Sequence, residues 1–203
     1  METIAVIGAG PVGGTLAAAL ADAGHQVVVG SRDPGSTPPP AGATVTDPVT
    51  AIEASRVVVY TIPGPAMPDV LAAQGGSLDS RIVIDATNNL ASGHGGPELS
   101  AIRHLPAGAL GFRAFNSVGW ENMADPVVGG VVADMFFAGP DGTEREVVGG
   151  LIADVGFRPV YVGAGPAAFA AVDSVAALWF ALALGRGYGR RLAFRVLTDS
   201  GSI

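Results

Sequence analysis

Three glycines, Gly8, Gly10 and Gly13, stand in G-x-G-x-x-G spacing between an apolar run at 4–8 and an alanine-rich run at 12–23. The chemistry this spacing serves is the binding of a dinucleotide pyrophosphate. Gly8 permits a tight turn, Gly10 lets the backbone approach the phosphates, and Gly13 lets a helix pack closely on the preceding strand. Pro11 and Val12 open that helix, whose N-terminus then faces the phosphate charge. About 20 residues further on, NAD enzymes carry an acid for the ribose hydroxyls. Here the position is Gly30, followed by Ser31 and Arg32, a hydroxyl and a guanidinium suited to charge-assisted contact with the 2′-phosphate of NADP. The expected cofactor is NADP(H).

The elements that must position these residues follow from the pattern of apolar runs. Strands are expected at 4–8, 26–30, 44–46, 56–62, 81–86 and 111–115, with helices at 12–23, 47–54, 66–73 and 98–104 between them. Asp47 reads as the N-cap of its helix and Pro48 as its first residue. Strands apolar at nearly every position need cover on both faces, which implies a doubly wound parallel sheet of the Rossmann type. Residues 1–118 form the nucleotide-binding domain in this reading. Residues 119–203 form a small C-terminal α/β domain, with strands at 134–139 and 158–162, a helix at 143–155 and a closing apolar helix at 167–184.

Ligands of such sheets lie across the carboxyl ends of the strands. That directs attention to Thr61, Ile62 and Pro63 after the fourth strand, to Asn88 after the fifth, and to Asn116, Ser117 and Val118 after the sixth. Asn116 is the strongest candidate for a functional amide.

Composition narrows the chemistry. The 203-residue chain has no cysteine and no lysine, which removes thiolate ligands, cysteine nucleophiles and Schiff bases. Its three histidines lack metal-ligand spacing, and no metal is expected; His94, in a loop at 92–97, reads as exposed. A net charge of −7 argues against a nucleic-acid partner. The one basic cluster, Arg186, Arg190, Arg191 and Arg195, reads as a solvated face. The most apolar stretch, 175–184, is short for a membrane span, and the start of the chain has no basic leader, so a cytoplasmic protein without membrane contact is expected. The closing helix, apolar on all sides, predicts a homodimer built through it.

The runs G-x-G-x-x-G, V-V-V-G-S-R, Y-T-I-P, I-D-A-T-N and A-F-N-S-V, continued by Phe137-Ala138-Gly139-Pro140-Asp141, resemble the family of NADPH-dependent reductases of the deazaflavin coenzyme F420. The resemblance implies that Ser31 and Arg32 hold the 2′-phosphate, that the turn from Gly8 to Gly13 holds the pyrophosphate, and that Thr61 to Pro63 flank the cofactor. It also implies that Asn116 lies near the nicotinamide, with coenzyme F420 as second substrate beside Ser117, Val118 and Trp120. Where the family often has a further basic residue after the arginine, this chain has Ser36. Two other classes stay open: an NADPH-dependent reductase of a flavin, imine or small carbonyl, and an NADP(H)-binding sensor without turnover.

Overall fold

The computed structural model describes residues 1–89 and 100–199. β1 (Thr3–Ile7), β2 (Gln26–Gly30) and β3 (Thr44–Thr46) pair in parallel on one side, and β4 (Val57–Tyr60), β5 (Ile82–Asp85) and β6 (Leu110–Arg113) on the other. β1 pairs with β4, giving the order β3-β2-β1-β4-β5-β6. The winding reverses between β1 and β4, and a ligand crevice belongs at the carboxyl ends there.

Alternation along the strands divides the core. Ile4 and Val6 of β1 pack with Leu16 and Leu20 of α1 (Pro11–Asp22). Ala5 and Ile7 face the other way, toward Ile52 of α2 (Pro48–Glu53) and Leu71 of α3 (Met67–Gln74). β4 and β5 are buried at every position, which is why both faces need helices. Asp47 caps α2 as expected, its Oδ1 accepting from the N–H groups of Val49 and Thr50 at 3.0 Å each.

The rest of the chain supplies α4 (Trp120–Ala124), a hairpin of β7 (Val127–Val128) and β8 (Val131–Val132), then β9 (Asp134–Ala138), α5 (Thr143–Asp154), β10 (Arg158–Gly163) and α6 (Pro166–Phe180). β9 joins the same sheet antiparallel to β6, at the pair Arg113–Ala138, and β10 lies parallel to β9. Residues 1–118 and 119–203 thus contribute to one eight-stranded sheet.

One expectation is corrected, and another falls outside the described residues. The helix expected at 98–104 is, among the described residues, a single 3₁₀ turn, Ile102–His104. Leu105 is extended because the following Pro106 disfavours the helical conformation. The loop at 92–97, with His94, lies outside the described residues. The late arginines are exposed, as expected of a solvated face, and three of them are also paired: Arg190 with Glu121 at 2.6 Å, Arg191 with Asp125 at 2.8 Å and Arg195 with Asp134 at 3.4 Å. These pairs, with Arg191 and Arg195 also donating to the Val127 and Val132 carbonyls, strap residues 190–195 across α4 and the hairpin.

The closing helix runs longer than expected. α6 continues through a π-type turn, Ala181–Gly185, so that 20 residues are helical, with a mean hydropathy of 1.9 and one third of the apolar stretch buried. By length and composition alone it could cross a membrane. One face, with Val172, Ala176 and Trp179, is buried, and Asp173 ties it to Arg113 of β6. Leu178 and Leu184 on the remaining surface are about half exposed.

Candidate cofactor site

The crevice expected from the topology is a cleft of about 730 Å³ at the carboxyl ends of β1, β2 and β4, within the range usual for cofactor sites. Its centre is the glycine turn. Gly8 has φ +118°, open to glycine and strained for other residues. Its N–H donates to the Gly30 carbonyl at 3.0 Å, linking the ends of β1 and β2. A Cβ on Gly13 would fall 1.9 Å from the Gly8 carbonyl oxygen and 2.6 Å from Thr61 Oγ1, whereas a Cβ on Gly10 would meet nothing within 4 Å. Gly13 therefore serves packing and lies behind the cleft. Gly10 leaves the open cradle that a pyrophosphate requires. α1 begins at Pro11 with no side-chain cap, and its first-turn N–H groups lack acceptors within the helix, which makes them anion donors.

Thr61 is fixed from below. Its hydroxyl lies 3.1 Å from the Ile7 carbonyl oxygen and 3.2 Å from that of Gly8, and its N–H donates to Ile7 at 2.9 Å. The loop Thr61, Ile62 and Pro63 thereby forms a wall of the cleft opposite Pro11 and Val12.

The cleft is also lined by Gly30, Ser31, Arg32 and Asp33 at and after the end of β2, by Pro48 at the start of α2, and by Val70 and Gln74 of α3. Arg32 is the one cationic residue among the lining residues and is exposed. A Cβ on Gly30 would meet Ile7 Cδ1 at 2.7 Å and Pro48 Cα at 3.0 Å. Gln74 is oriented by the hydroxyl of buried Tyr60, which donates to its Oε1; burial holds the Tyr60 phenol above its ordinary pKa. Neither Gln74 nor Asp33 was among the residues expected from the sequence, because neither belongs to a motif.

The site continues along the sheet edge. A Cβ on Gly64 would press on the backbone of Asn88 and Asn89 at 2.6–2.7 Å, and Asn88 Nδ2 donates to the Asn116 carbonyl at 2.8 Å. Asn116 follows Phe115, whose φ of +59° is rare for a bulky residue, a backbone state that persists only where surrounding contacts enforce it. Both polar atoms of the Asn116 side chain are buried without a partner among the described residues. An unmet buried amide costs about 1–3 kcal/mol per group; the residue is 2% exposed and lies outside the residues that line the cleft.

Behind these loops lies a charge cluster that the sequence reading missed. Arg113 is fully buried. It donates to the carbonyls of Asp85 and Thr87 at 2.9 and 2.6 Å, to Asn88 Oδ1 at 3.0 Å and to Asp173 Oδ1 at 2.7 Å. Burial raises the Asp173 carboxyl above its ordinary pKa, and the Arg113 guanidinium opposes the shift only in part. Asp85 is an acceptor for Thr87, Ser100 and Ala101. No spacing signal joins Arg113 to Asp173, which are 60 positions apart.

The residues expected around a second substrate are placed differently from the cleft wall. Ser117 is buried with its hydroxyl 4.0 Å from Met135 Sδ, and Val118 belongs to the main core. The cause is β9, which packs Met135 against this turn and closes it. Trp120 opens α4 and is 38% exposed.

Comparison with known proteins accords with this geometry. Residues 3–89 match the model of the family described as NADP oxidoreductase, coenzyme F420-dependent. No curated protein matches the sequence. Among solved structures, a candidate F420-dependent NADP reductase from Arthrobacter sp. FB24 is similar over 98% of this chain and 100% of its own, at 24% identity and a TM-score of 0.84. A hypothetical protein of Sinorhizobium meliloti, SMa0349, is 26% identical with a TM-score of 0.68, covering 83% of this chain and 87% of its own. A reductive aminase from Aspergillus terreus, solved with NADPH and ethyl-5-oxohexanoate, shares 21% identity and a TM-score of 0.65 over 92% of this chain, which spans 61% of the aminase. The fold is shared along nearly the whole chain, and residues 3–89 resemble the coenzyme F420-dependent NADP oxidoreductases whose family model they match.

Proposed function

We propose that the chain binds NADP(H) along the edge from β2 to β6 and exchanges hydride between it and a deazaflavin, coenzyme F420. The observation that carries the cofactor assignment is Arg32, the cation at the end of a cleft whose centre is the open cradle at Gly10. The 2′-phosphate takes the guanidinium, the pyrophosphate takes the N-terminus of α1, and the nicotinamide end reaches toward Asn88 and Asn116. When bound, NADPH supplies the hydride. The protein's own contribution is to bind, orient and exclude water, with Asn116 offering a donor and an acceptor to a carboxamide or imide edge. The match of residues 3–89 to the model of the coenzyme F420-dependent family supports the deazaflavin as partner. The protein works in this reading as a cytoplasmic homodimer, a second copy covering the exposed face of α6.

A second reading, reduction of an imine, draws on the fold shared with the reductive aminase solved with NADPH; Asp173, held by Arg113 at 2.7 Å, stands outside the residues that line the cleft and is not assigned the proton. Anaerobic mixing of protein, NADPH and oxidised deazaflavin separates the readings. Loss of the deazaflavin absorbance supports the first. Turnover only with an imine or a flavin moves the chain to another reductase class, and tight NADPH binding without any turnover makes it a sensor. Arg32→Ala is expected to weaken NADPH about tenfold to a hundredfold while leaving NADH unchanged.

A further inference from the structure

The loop that carries Arg32 is closed by three hydrogen bonds among its own residues. The Asp33 N–H donates to Ser31 Oγ at 3.2 Å, Ser31 and Thr37 share a hydroxyl contact at 2.7 Å, and Thr37 Oγ1 donates to the Asp33 carbonyl at 2.7 Å. The direction of the middle bond follows from the other two. Thr37 has one hydroxyl proton, and the Asp33 carbonyl takes it, so Ser31 must donate and Thr37 accept. The ring is complete, and the Ser31 hydroxyl proton is engaged within the loop. Ser31 N–H donates to Thr46 of β3 at 2.9 Å, which anchors the ring to the sheet. Arg32 lies inside the ring sequence and outside its bonding, exposed and lining the cleft.

We propose that Thr37 is a positioning residue for cofactor selection: it closes the ring that presents Arg32 to the 2′-phosphate, and Ser31 acts through the ring as well. The inference rests on the NADP(H) reading above. It differs from that reading in the role given to Ser31, which becomes a member of the loop's frame instead of a phosphate ligand. Three prolines, Pro38, Pro39 and Pro40, follow Thr37 and stiffen the chain on its far side, so the ring is what fixes the near side. Without it, Arg32 must be ordered anew on each binding event. Ordering one residue corresponds to about fivefold to thirtyfold in affinity.

The test compares wild type, Thr37→Val, Thr37→Ser, Ser31→Ala and Arg32→Ala by titration with NADPH, NADH and 2′,5′-ADP, alongside melting temperatures. Thr37→Val and Ser31→Ala are expected to lower the NADPH-to-NADH affinity ratio about fivefold or more, and Thr37→Ser to restore it within about twofold. General destabilisation would move both cofactors together and lower the melting temperature, leaving the ratio intact. Wild type that prefers NADPH, with Arg32→Ala losing the preference and Thr37→Val keeping it, overturns the inference alone. Ser31→Ala that weakens 2′,5′-ADP while Thr37→Val does not makes Ser31 a direct ligand and also overturns it. Wild type without preference for NADPH overturns the underlying reading instead.

Discussion

Gly10 and Gly13 occupy the same motif three positions apart, yet the structure gives them opposite tasks, and alanine at each separates the two. At Gly13 the added methyl would sit 1.9 Å from the Gly8 carbonyl oxygen, well over 1 Å inside the roughly 3.3–3.6 Å at which carbon meets a carbonyl oxygen. The obstacle is backbone held by the pairing of β1 with β2, so α1 itself must move. Overpacking of this kind costs about 1–3 kcal/mol when side chains can yield, and here none is free to do so. A loss at or above the top of that range lowers the melting temperature by roughly 6–12 °C in a domain of this size. At Gly10 the backbone has φ −74° and ψ −176°, accessible to alanine, and the methyl meets no protein atom. Stability is then unchanged. The methyl fills space the pyrophosphate needs, and breaking one charge-assisted hydrogen bond at about 1.5–3 kcal/mol weakens the dinucleotide at least tenfold. Thermal melting and NADPH titration of both variants form the assay. Gly10→Ala that melts early, or that binds NADPH like wild type, would falsify the division of labour.

Arg113→Met leaves Asp173 buried without its cation; the expected loss of about 3–5 kcal/mol, or roughly 6–20 °C in melting temperature, is read by calorimetry, and an unchanged melting point would remove Arg113 from the account of the fold. Asp47 has a pKa below the ordinary carboxylate value because the Thr50 side chain and backbone donate to it. Its stabilising effect is complete above the ordinary value and is lost as pH falls through the lower folded-state value, so Asp47→Ala should flatten the acid limb of the stability curve while leaving its neutral-side slope alone. Light scattering at micromolar concentration is expected to give twice the 20.2 kDa chain mass, and a monomeric mass would leave α6 uncovered and count against the homodimer.

How much of this was legible in the sequence depended on whether the signal was local. The glycine turn, the strands around it and the Asp47 cap announce themselves within a few residues, and the parallel sheet follows from their alternation. Asp134–Ala138 and Arg158–Gly163 also read correctly as strands, but nothing local says that they extend the first sheet through an antiparallel joint. The exposure of the late arginines was legible and their pairing was not, because their carboxylates lie 61 to 69 positions earlier. Arg113 was invisible as a site residue for the same reason. Ser117 and Val118 follow a strand as a binding loop would, and only the packing of Met135 shows that they face inward. Thr37 sits in a proline-rich loop that composition alone marks as irregular, and its part emerges from distances between hydroxyls.

The crowding at Gly30 bears on how such an enzyme could change its cofactor. The simplest route from NADP to NAD is to install the ribose-binding acid at the end of the second strand. In this chain a side chain there would meet Ile7 Cδ1 at 2.7 Å and Pro48 Cα at 3.0 Å, so Gly30→Asp requires the tip of Ile7 to turn and the start of α2 to give by a few tenths of an ångström. That single step carries a packing cost. A lineage or an engineer seeking NAD avoids it by placing the carboxylate on the following loop, where Ser31, Arg32 and Asp33 already stand, or by reducing Ile7 beforehand. Cofactor identity is in this sense coupled to how closely the start of α2 packs on the end of β2.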